Sequence, residues 1–585
     1  MTYPFTRREL LGAAAVLPAG AAWGGRTRPE SIALETYARR SFNYYNRMVD
    51  RDGLPYFNIF WTSPAEAAHD WPDFGDVSSR QLQAVIMGRR MIGETCLNES
   101  IWLRRILSLI DPSTGLLARP ETAYSKHTTD MGDQALTLYT LATAYLDSTD
   151  PSLAKAVHRM VDGIGAWAAE RAAKGRLPDY SFSIKSLMVC ARLMDYQPAL
   201  ALAGRFSTQV LASGLFTIED RIRNGGHVHG TLRALVGLAD YALHTRDERL
   251  FARVDAIYRN FRDDLATRFG FIPEVVARKG EVVATETCAL MDYVGLAVTL
   301  AEHGHPEYWA DVERIVRNQL IESQAHDLSW VKSDAGRADT DEFSWRDLSA
   351  RLEGAYAGWS SPTHFLAAEE YLHWGGPKLR NKVRLFQNCC GGSGTHAFFI
   401  AWKSAARFER DTLSVRLHLD KLLPQAEIRS GQPYQGLLHI RLKRACGVRV
   451  RIPDFVEARA MRVTSGRDVL PFRVDAGFLD LGQRPDGESI LVRYSLPVKT
   501  ESVSIGNPGF RQYRYRVTWK GDTAVRMEPA GIEQPTGYSD FEKRDVPVYY
   551  GAKGPGPLYQ RAHMIHDAEP APAPLHADDG SLNLW

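Results

Sequence analysis

The chain has 585 residues, 44% of them hydrophobic and 24% charged, a length beyond what one core serves, since single cores stop growing at roughly 250 to 300 residues. With 71 Lys and Arg against 69 Asp and Glu, no strong field favours nucleic acid or a membrane surface, so the expected partner is a small or neutral ligand. The 13 Trp are a mild pointer to carbohydrate, because flat indoles stack on sugar faces, although core packing accounts for most such residues.

The first element is "MTYPFTRRELLGAAAVLPAGAAWGG", in which Arg7 and Arg8 precede a short apolar run and the small residues Ala19-Gly20-Ala21. This resembles a twin-arginine export signal. Residues 1–30 are expected to be the signal segment, the mature chain to begin near residue 22, and the protein to be periplasmic or secreted. No later run reaches the roughly 18 apolar residues of a membrane span, so membrane insertion is not expected.

From 31 to 407 the apolar period is near 3.6, as in "SSRQLQAVIMGRRMIGE", "DQALTLYTLATAYLD", "GTLRALVGLADYALHT" and "CALMDYVGLAVTLAEH". About a dozen such segments, joined by loops carrying Gly, Pro, Asp or Asn, suggest helix pairs packed in a ring, with an irregular all-α bundle as the alternative. From 408 to 565 the period drops to two, in "DTLSVRLHL", "GLLHIRLKR", "GVRVRIP" and "ESILVRYSL", which reads as a β-sandwich region. The last stretch, 566–585, "HDAEPAPAPLHADDGSLNLW", is Pro/Ala/Asp-rich and is expected to be a poorly packed, flexible tail. The fold expected is multidomain and mainly α, with the β region C-terminal.

Two of the six cysteines, Cys389 and Cys390, are neighbours in "FQNCCGGSGTHAFF", ahead of an expected glycine-rich turn. A vicinal disulfide, two ordinary buried thiols and a metal site all compete for this pair. Further ligands for the last reading occur in "VVATETCALMDYV": in an extended segment Glu286 and Cys288 point to the same side. One oxygen and three sulfurs suit tetrahedral zinc, though thiolates accept iron as well. Cys96, Cys190 and Cys446 have no such neighbours and read as packing residues.

At these residues the chain resembles the glycoside hydrolase family of β-L-arabinofuranosidases, once catalogued as a domain of unknown function. "ETC" at 286–288 and "CCGGSG" at 389–394 match its Glu-x-Cys and Cys-Cys segments. "YWADVERIVRNQL" at 308–320, "GGHVHGTLRAL" at 225–235, "VRIPDF" at 450–455 and "TWKGDTAVRM" at 518–527 resemble further family segments. The resemblance implies a retaining glycosidase with an (α/α)6 barrel followed by a C-terminal β-sandwich. It also implies zinc held by Glu286, Cys288, Cys389 and Cys390, with Cys389 as the nucleophile, and a carbohydrate substrate.

A glycosidase also needs an acid/base. The family's Gly-Glu-Ala-Phe segment is replaced here by "GFIPEVVARKGEVVATETC", leaving Glu274 and Glu281 as candidates. Read as a hairpin turning near Lys279-Gly280, this stretch puts Glu274 at the base and Glu281 near the tip, which favours Glu274. His227 and His229, before a helix, are candidate substrate donors. Asp73, with Asp70, Asp76 and the stacking surface Trp71 in "DWPDFGDVSSR", is another, and His127 and His364 are weaker ones. Two further readings are a barrel hydrolase or lyase using paired aspartates, with structural cysteines, and a non-catalytic sugar binder. Oligomeric state is not legible.

Overall fold

The computed structural model describes residues 30–60, 62, 64–174, 181–276, 284–363, 365, 384–505, 513–529, 532–533, 548–549 and 570–584. The Arg7-Arg8 leader, the hairpin tip at Lys279-Gly280 with Glu281, and His364 lie outside the described residues.

Helices with one apolar stripe alternate along the chain with helices that are buried on nearly every side. The outer set is α1 (Leu34–Arg47), α3 (Glu99–Ser108), α5 (Pro151–Ala173), α7 (Gln197–Ala212), α9 (Glu248–Asp264) and α11 (Trp309–Ile315, prolonged by a π turn, Val316–Leu320). The inner set is α2 (Asp76–Ile92), α4 (Met131–Ser148), α6 (Ser183–Leu193), α8 (Val228–Thr245), α10 (Thr287–Glu302) and α12 (Asn388–Ser404). The pattern explains the sorting. In α9 the buried residues Leu250, Val254, Ile257, Tyr258 and Phe261 form one stripe, whereas every residue of α10 from Thr287 to Ala301 is buried. The even helices pack in sequence, and α12 returns to α2 to close the ring. This is the (α/α)6 barrel, not an irregular bundle.

Short strands β1 (Asn58–Phe60), β2 (Glu66–Ala68), β3 (Thr285–Glu286), β4 (Phe343–Ser344), β5 (Trp359–Ser360) and β6 (Arg384–Gln387) lie in the segments between the barrel helices. They form one sheet of order β4-β2-β1-β6 and the pair β3-β5. β3 runs directly into α10 and β6 into α12, so two strand ends fix two helix starts.

Between Ala406 and Arg493 a six-stranded and a five-stranded sheet pack around Leu413, Ile428, Leu438, Ile440, Val448 and Val492, as the alternating pattern predicts. A third, three-stranded sheet within Val498–Glu528 packs on Phe269 and Phe271 of the barrel.

Three fragments matched separately in the sequence meet where the barrel joins the β region. Fully buried Arg317 bonds both Glu313 and Asp522, and Glu313 also receives Arg451. Asn318 donates to the Asp522 carbonyl at 2.8 Å and accepts the Ala524 N–H at 2.7 Å. These residues weld domains, and they do not reach the site described below.

The tail expectation is overturned for 570–584. Asp578 accepts from both Lys403 and Lys421 at 2.8 Å, Lys185 donates to the Leu584 carbonyl at 3.2 Å, and Leu584 is fully buried. Lys421 is itself buried, and a buried ammonium must be paired, so the polar composition that reads as a loose tail supplies counter-charge to the barrel floor. Among the described residues, no helix is long and apolar enough to cross a membrane.

Candidate metal centre

Both ligand pairs sit at helix starts. Glu286 ends β3 and is the N-cap of α10, with Cys288 in its first turn, while Cys389 and Cys390 are in the first turn of α12. The extended i, i+2 geometry expected of Glu286 and Cys288 is therefore replaced by a strand-to-helix transition. Thr287 Oγ1 pins it by donating to the Ala357 carbonyl at 2.8 Å, and Glu286 pairs with Trp359 across β3-β5. The expected glycine-rich turn after the cysteines is helix as well. Its glycines allow close packing: a Cβ on Gly392 would lie 2.6 Å from the Arg80 backbone of α2, and one on Gly394 would strike the Tyr356 ring.

Cys288 Sγ lies 3.5 Å from Cys390 Sγ, Cys389 Sγ lies 3.9 Å from Cys390 Sγ, and Cys390 Sγ lies 4.0 Å from Glu286 Oε1. All four ligand atoms fall within 4.8 Å of one another, and all four residues are buried. With Zn–S bonds of about 2.3 Å, the edges of a tetrahedron measure roughly 3.8 Å, so the donor set fits zinc in number, chemistry and spacing. All six cysteines are free in this structure, with Cys389 and Cys390 spaced as separate thiols. Cys96, Cys190 and Cys446 are buried and do not belong to this group.

Among the side chains alone, the electrostatics favour negative charge on Cys389 and Glu286 and oppose it on Cys288 and Cys390. Hydrogen bonds from Cys288 and Cys390 pull the Cys389 thiol below its ordinary range, while burial pushes Cys288 and Cys390 up. The starts of α10 and α12 also present the positive ends of their helix dipoles. Burial opposes ionisation of Glu286, but the hydrogen bond from His227 and the nearby charges hold its carboxyl below the usual range.

His227 Nε2 lies 3.2 Å from Glu286 Oε2 and 3.9 Å from Glu274 Oε1. Its side chain is 46% exposed, beside two carboxylates that are buried. Burial disfavours its charge, yet the Glu286 bond and charge raise its pKa. Glu274 is buried, and its backbone donates to Ala284 at 2.8 Å and accepts from Val228 at 2.7 Å. These bonds put Glu274 beside His227 at the base of the expected hairpin.

Other candidates are placed differently. His229 is buried, with Nδ1 2.7 Å from Asp292 Oδ2 and Nε2 3.1 Å from Arg80, so both ring nitrogens face protein partners. Asp73 is fully buried and bonded to His69 Nδ1 at 2.5 Å. Both placements have one cause: each group turns inward to satisfy a buried polar partner. His127 lies on an exposed loop whose backbone binds Glu121, and it is not part of the cluster. Asp70 accepts from Asn58 at 3.4 Å, Asp76 is committed to Arg80, and Arg119 stacks 4.4 Å from the Trp71 ring.

The sequence reading missed Arg80, Asp292 and Arg384. Arg384 is buried and donates to Asn58 Oδ1 at 3.0 Å. Burial lowers its pKa to about 10 against the opposing charges of Asp70, Cys389 and Glu274. Nothing in "VRLFQ" distinguishes such an arginine from a solvated strand residue. A separate cavity lined by Arg192, Asp240, Glu302 and His303 opens at the other end of the inner helices and holds no part of this cluster.

The fold and cluster together define an (α/α)6-barrel and β-sandwich protein whose centre, one glutamate and three cysteines, lies at the helix-start face of the barrel. No family model and no curated protein matches the sequence. Solved structures do resemble it. A GH127 β-L-arabinofuranosidase from Geobacillus stearothermophilus T6 is 12% identical, covering 84% of this chain and 79% of its own, with a TM-score of 0.52. A second GH127 β-arabinofuranosidase is 14% identical, covering 84% and 80%, with a TM-score of 0.54. A third structure, described as a glycoside hydrolase, is 12% identical over 82% and 84%, at 0.53. At such identities the likeness establishes the fold.

Proposed function

We propose that this chain is a zinc-dependent, retaining exo-glycoside hydrolase that removes terminal furanosyl residues, β-L-arabinofuranosyl first among them, from plant-type glycans. The observation that carries the reading is the convergence of Glu286, Cys288, Cys389 and Cys390 on one point, with a second carboxylate, Glu274, across His227. The β-arabinofuranosidase fold supports the sugar class.

Bound zinc would be held by Glu286 and the three cysteines and would supply a deprotonated, oriented sulfur. Cys389 Sγ attacks the anomeric carbon as Glu274, in its acid form, protonates the departing glycosidic oxygen. The sugar is then linked to Cys389 through a C–S bond. Glu274, now a carboxylate, takes a proton from water, whose oxygen attacks the same carbon and releases the Cys389 thiolate, so two inversions give net retention. His227 stands between the two carboxylates, and its half-exposed ring is open to a sugar hydroxyl.

An acid pair drawn from Asp70, Asp73 and Asp76 is disfavoured, because Asp73 is bonded to His69 and Asp76 to Arg80. A non-catalytic sugar binder would have no use for a gathered set of thiolates. Our reading includes export of the folded chain behind the Arg7-Arg8 leader.

The test is metal analysis of protein purified without added zinc, followed by assay of aryl furanosides. Near-stoichiometric metal and turnover abolished in Cys389→Ser are expected, since a hydroxyl is far less acidic than a zinc-bound thiol. Metal-free protein carrying a Cys389–Cys390 disulfide, or an active Cys389→Ser variant, overturns the reading.

A further inference from the structure

One helical turn below the ligands lies a second, polar layer. Asp292 follows Cys288 by four residues on α10 and Ser393 follows Cys389 by four on α12, so each shares a helix face with the cysteine above it. The two are joined across the barrel axis. Asp292 Oδ2 is 2.7 Å from His229 Nδ1, His229 Nε2 is 3.1 Å from an Arg80 Nη, and the other Arg80 Nη donates to Ser393 Oγ at 3.2 Å. Arg80 Nε bonds Asp76 on its own helix. All but Asp76 are buried. The cavity beside Arg80, Met291, Gly392 and Ser393 measures about 10 Å³, room for about one water, so solvent screens this layer little.

A guanidinium only donates, so His229 Nε2 must accept, leaving its proton on Nδ1 for Asp292. His229 is thereby neutral. Buried Arg233 lies 3.4 Å from Asp292 Oδ1, so the layer holds two arginines, Arg233 beside Asp292 and Arg80 beside Asp76, and it is Arg80 on which the charges of Cys288 and Cys389 act. Zinc with three thiolates and one carboxylate carries a net charge of about −2, which is costly to bury uncompensated.

Resting on the metal reading above, we propose that Arg80 is a positioning residue of the metal centre: a fixed cation, aimed by Asp76, His229 and Ser393, that offsets the excess negative charge and holds the starts of α10 and α12 in register. Outer groups of this kind typically change metal affinity by about 10- to 100-fold.

The test is the rate of zinc transfer from full-length protein to a chromogenic chelator, with the unfolding temperature of the zinc-stripped proteins measured in parallel. Arg80→Met should lose zinc roughly 10 to 100 times faster than wild type at a temperature well below the unfolding of its stripped form, which is itself lowered because Asp76, His229 and Ser393 lose their partner, and Arg80→Lys, which keeps the charge without the fork, should fall between. Wild-type and Arg80→Met rates that coincide overturn the proposal, as does a lysine variant no better than methionine. A wild-type protein without zinc overturns the metal reading itself. If Arg80→Met does not fold, Ser393→Ala carries the test: faster loss supports the proposal and an unchanged rate overturns it.

Discussion

The Nε2 atom of His227 stands 3.2 Å from Glu286 Oε2, whose partner oxygen Oε1 faces Cys390, and the same nitrogen is 3.9 Å from Glu274. One imidazole thus stands between a carboxylate that faces the cysteines and a second buried carboxylate.

If Glu274 is the acid/base, its loss should depend on the leaving group. Glu274→Gln should lower hydrolysis of a natural disaccharide by roughly 10²- to 10⁴-fold, with a smaller effect on glycosylation by a nitrophenyl furanoside, whose departing oxygen needs no proton. Azide should restore the second step. Leaving-group-dependent loss in Glu281→Gln, with Glu274→Gln near wild type, would reverse the assignment.

Arg317, Glu313 and Asp522 make a buried ion network between barrel and β region. Arg317→Met leaves the Asp522 charge without its arginine, and such breaks typically cost about 3–5 kcal/mol. Thermal and urea unfolding should show a clear loss, while the zinc content of the folded fraction stays at the wild-type level. A variant as stable as wild type would remove the network from the forces joining the domains.

Asp578 is the shared partner of Lys403 and Lys421. Burial lowers the Lys421 pKa to about 8 even though Asp578 opposes the shift. Asp578→Ala should depress the unfolding temperature and expose the C-terminal segment to limited proteolysis. Unchanged proteolysis would return 570–584 to the loose tail its composition suggests.

His69 is stacked 4.2 Å from the Tyr56 ring and 5.2 Å from the Tyr124 ring, between Asp73 and Asp50. Burial opposes its charge, but the two carboxylates outweigh burial and raise its pKa to about 9. A folded pKa raised above the unfolded value of about 6.5 contributes stability that is fully present below that pH and is lost as pH rises through about 9. The unfolding temperature should therefore fall between pH 6 and pH 9.5, and His69→Asn should flatten that fall. An equal fall in both proteins would exclude His69 as its source.

Periodicity was enough to read a helical part followed by a strand part, because a helix such as α10 and a half-buried strand such as Leu437–Leu442 write different repeats into the chain, while the closed ring rather than an irregular bundle rested on the family resemblance. The types and pairing of Glu286, Cys288, Cys389 and Cys390 were legible too, since thiolates beside a carboxylate are rare outside metal chemistry. What the sequence could not carry was direction. His229 and Asp73 look like loop and helix-start residues open to a sugar, yet each turns inward, because a buried arginine from another helix and a buried histidine four residues upstream require partners. Arg80, Asp292 and Ser393 become one layer only when the inner helices close the ring. Asp578 becomes structural only when Lys421 is buried beside it. Local pattern determines which residues face a core, but the pairing of buried charges is decided by which helices meet, and that is a property of the packed barrel alone.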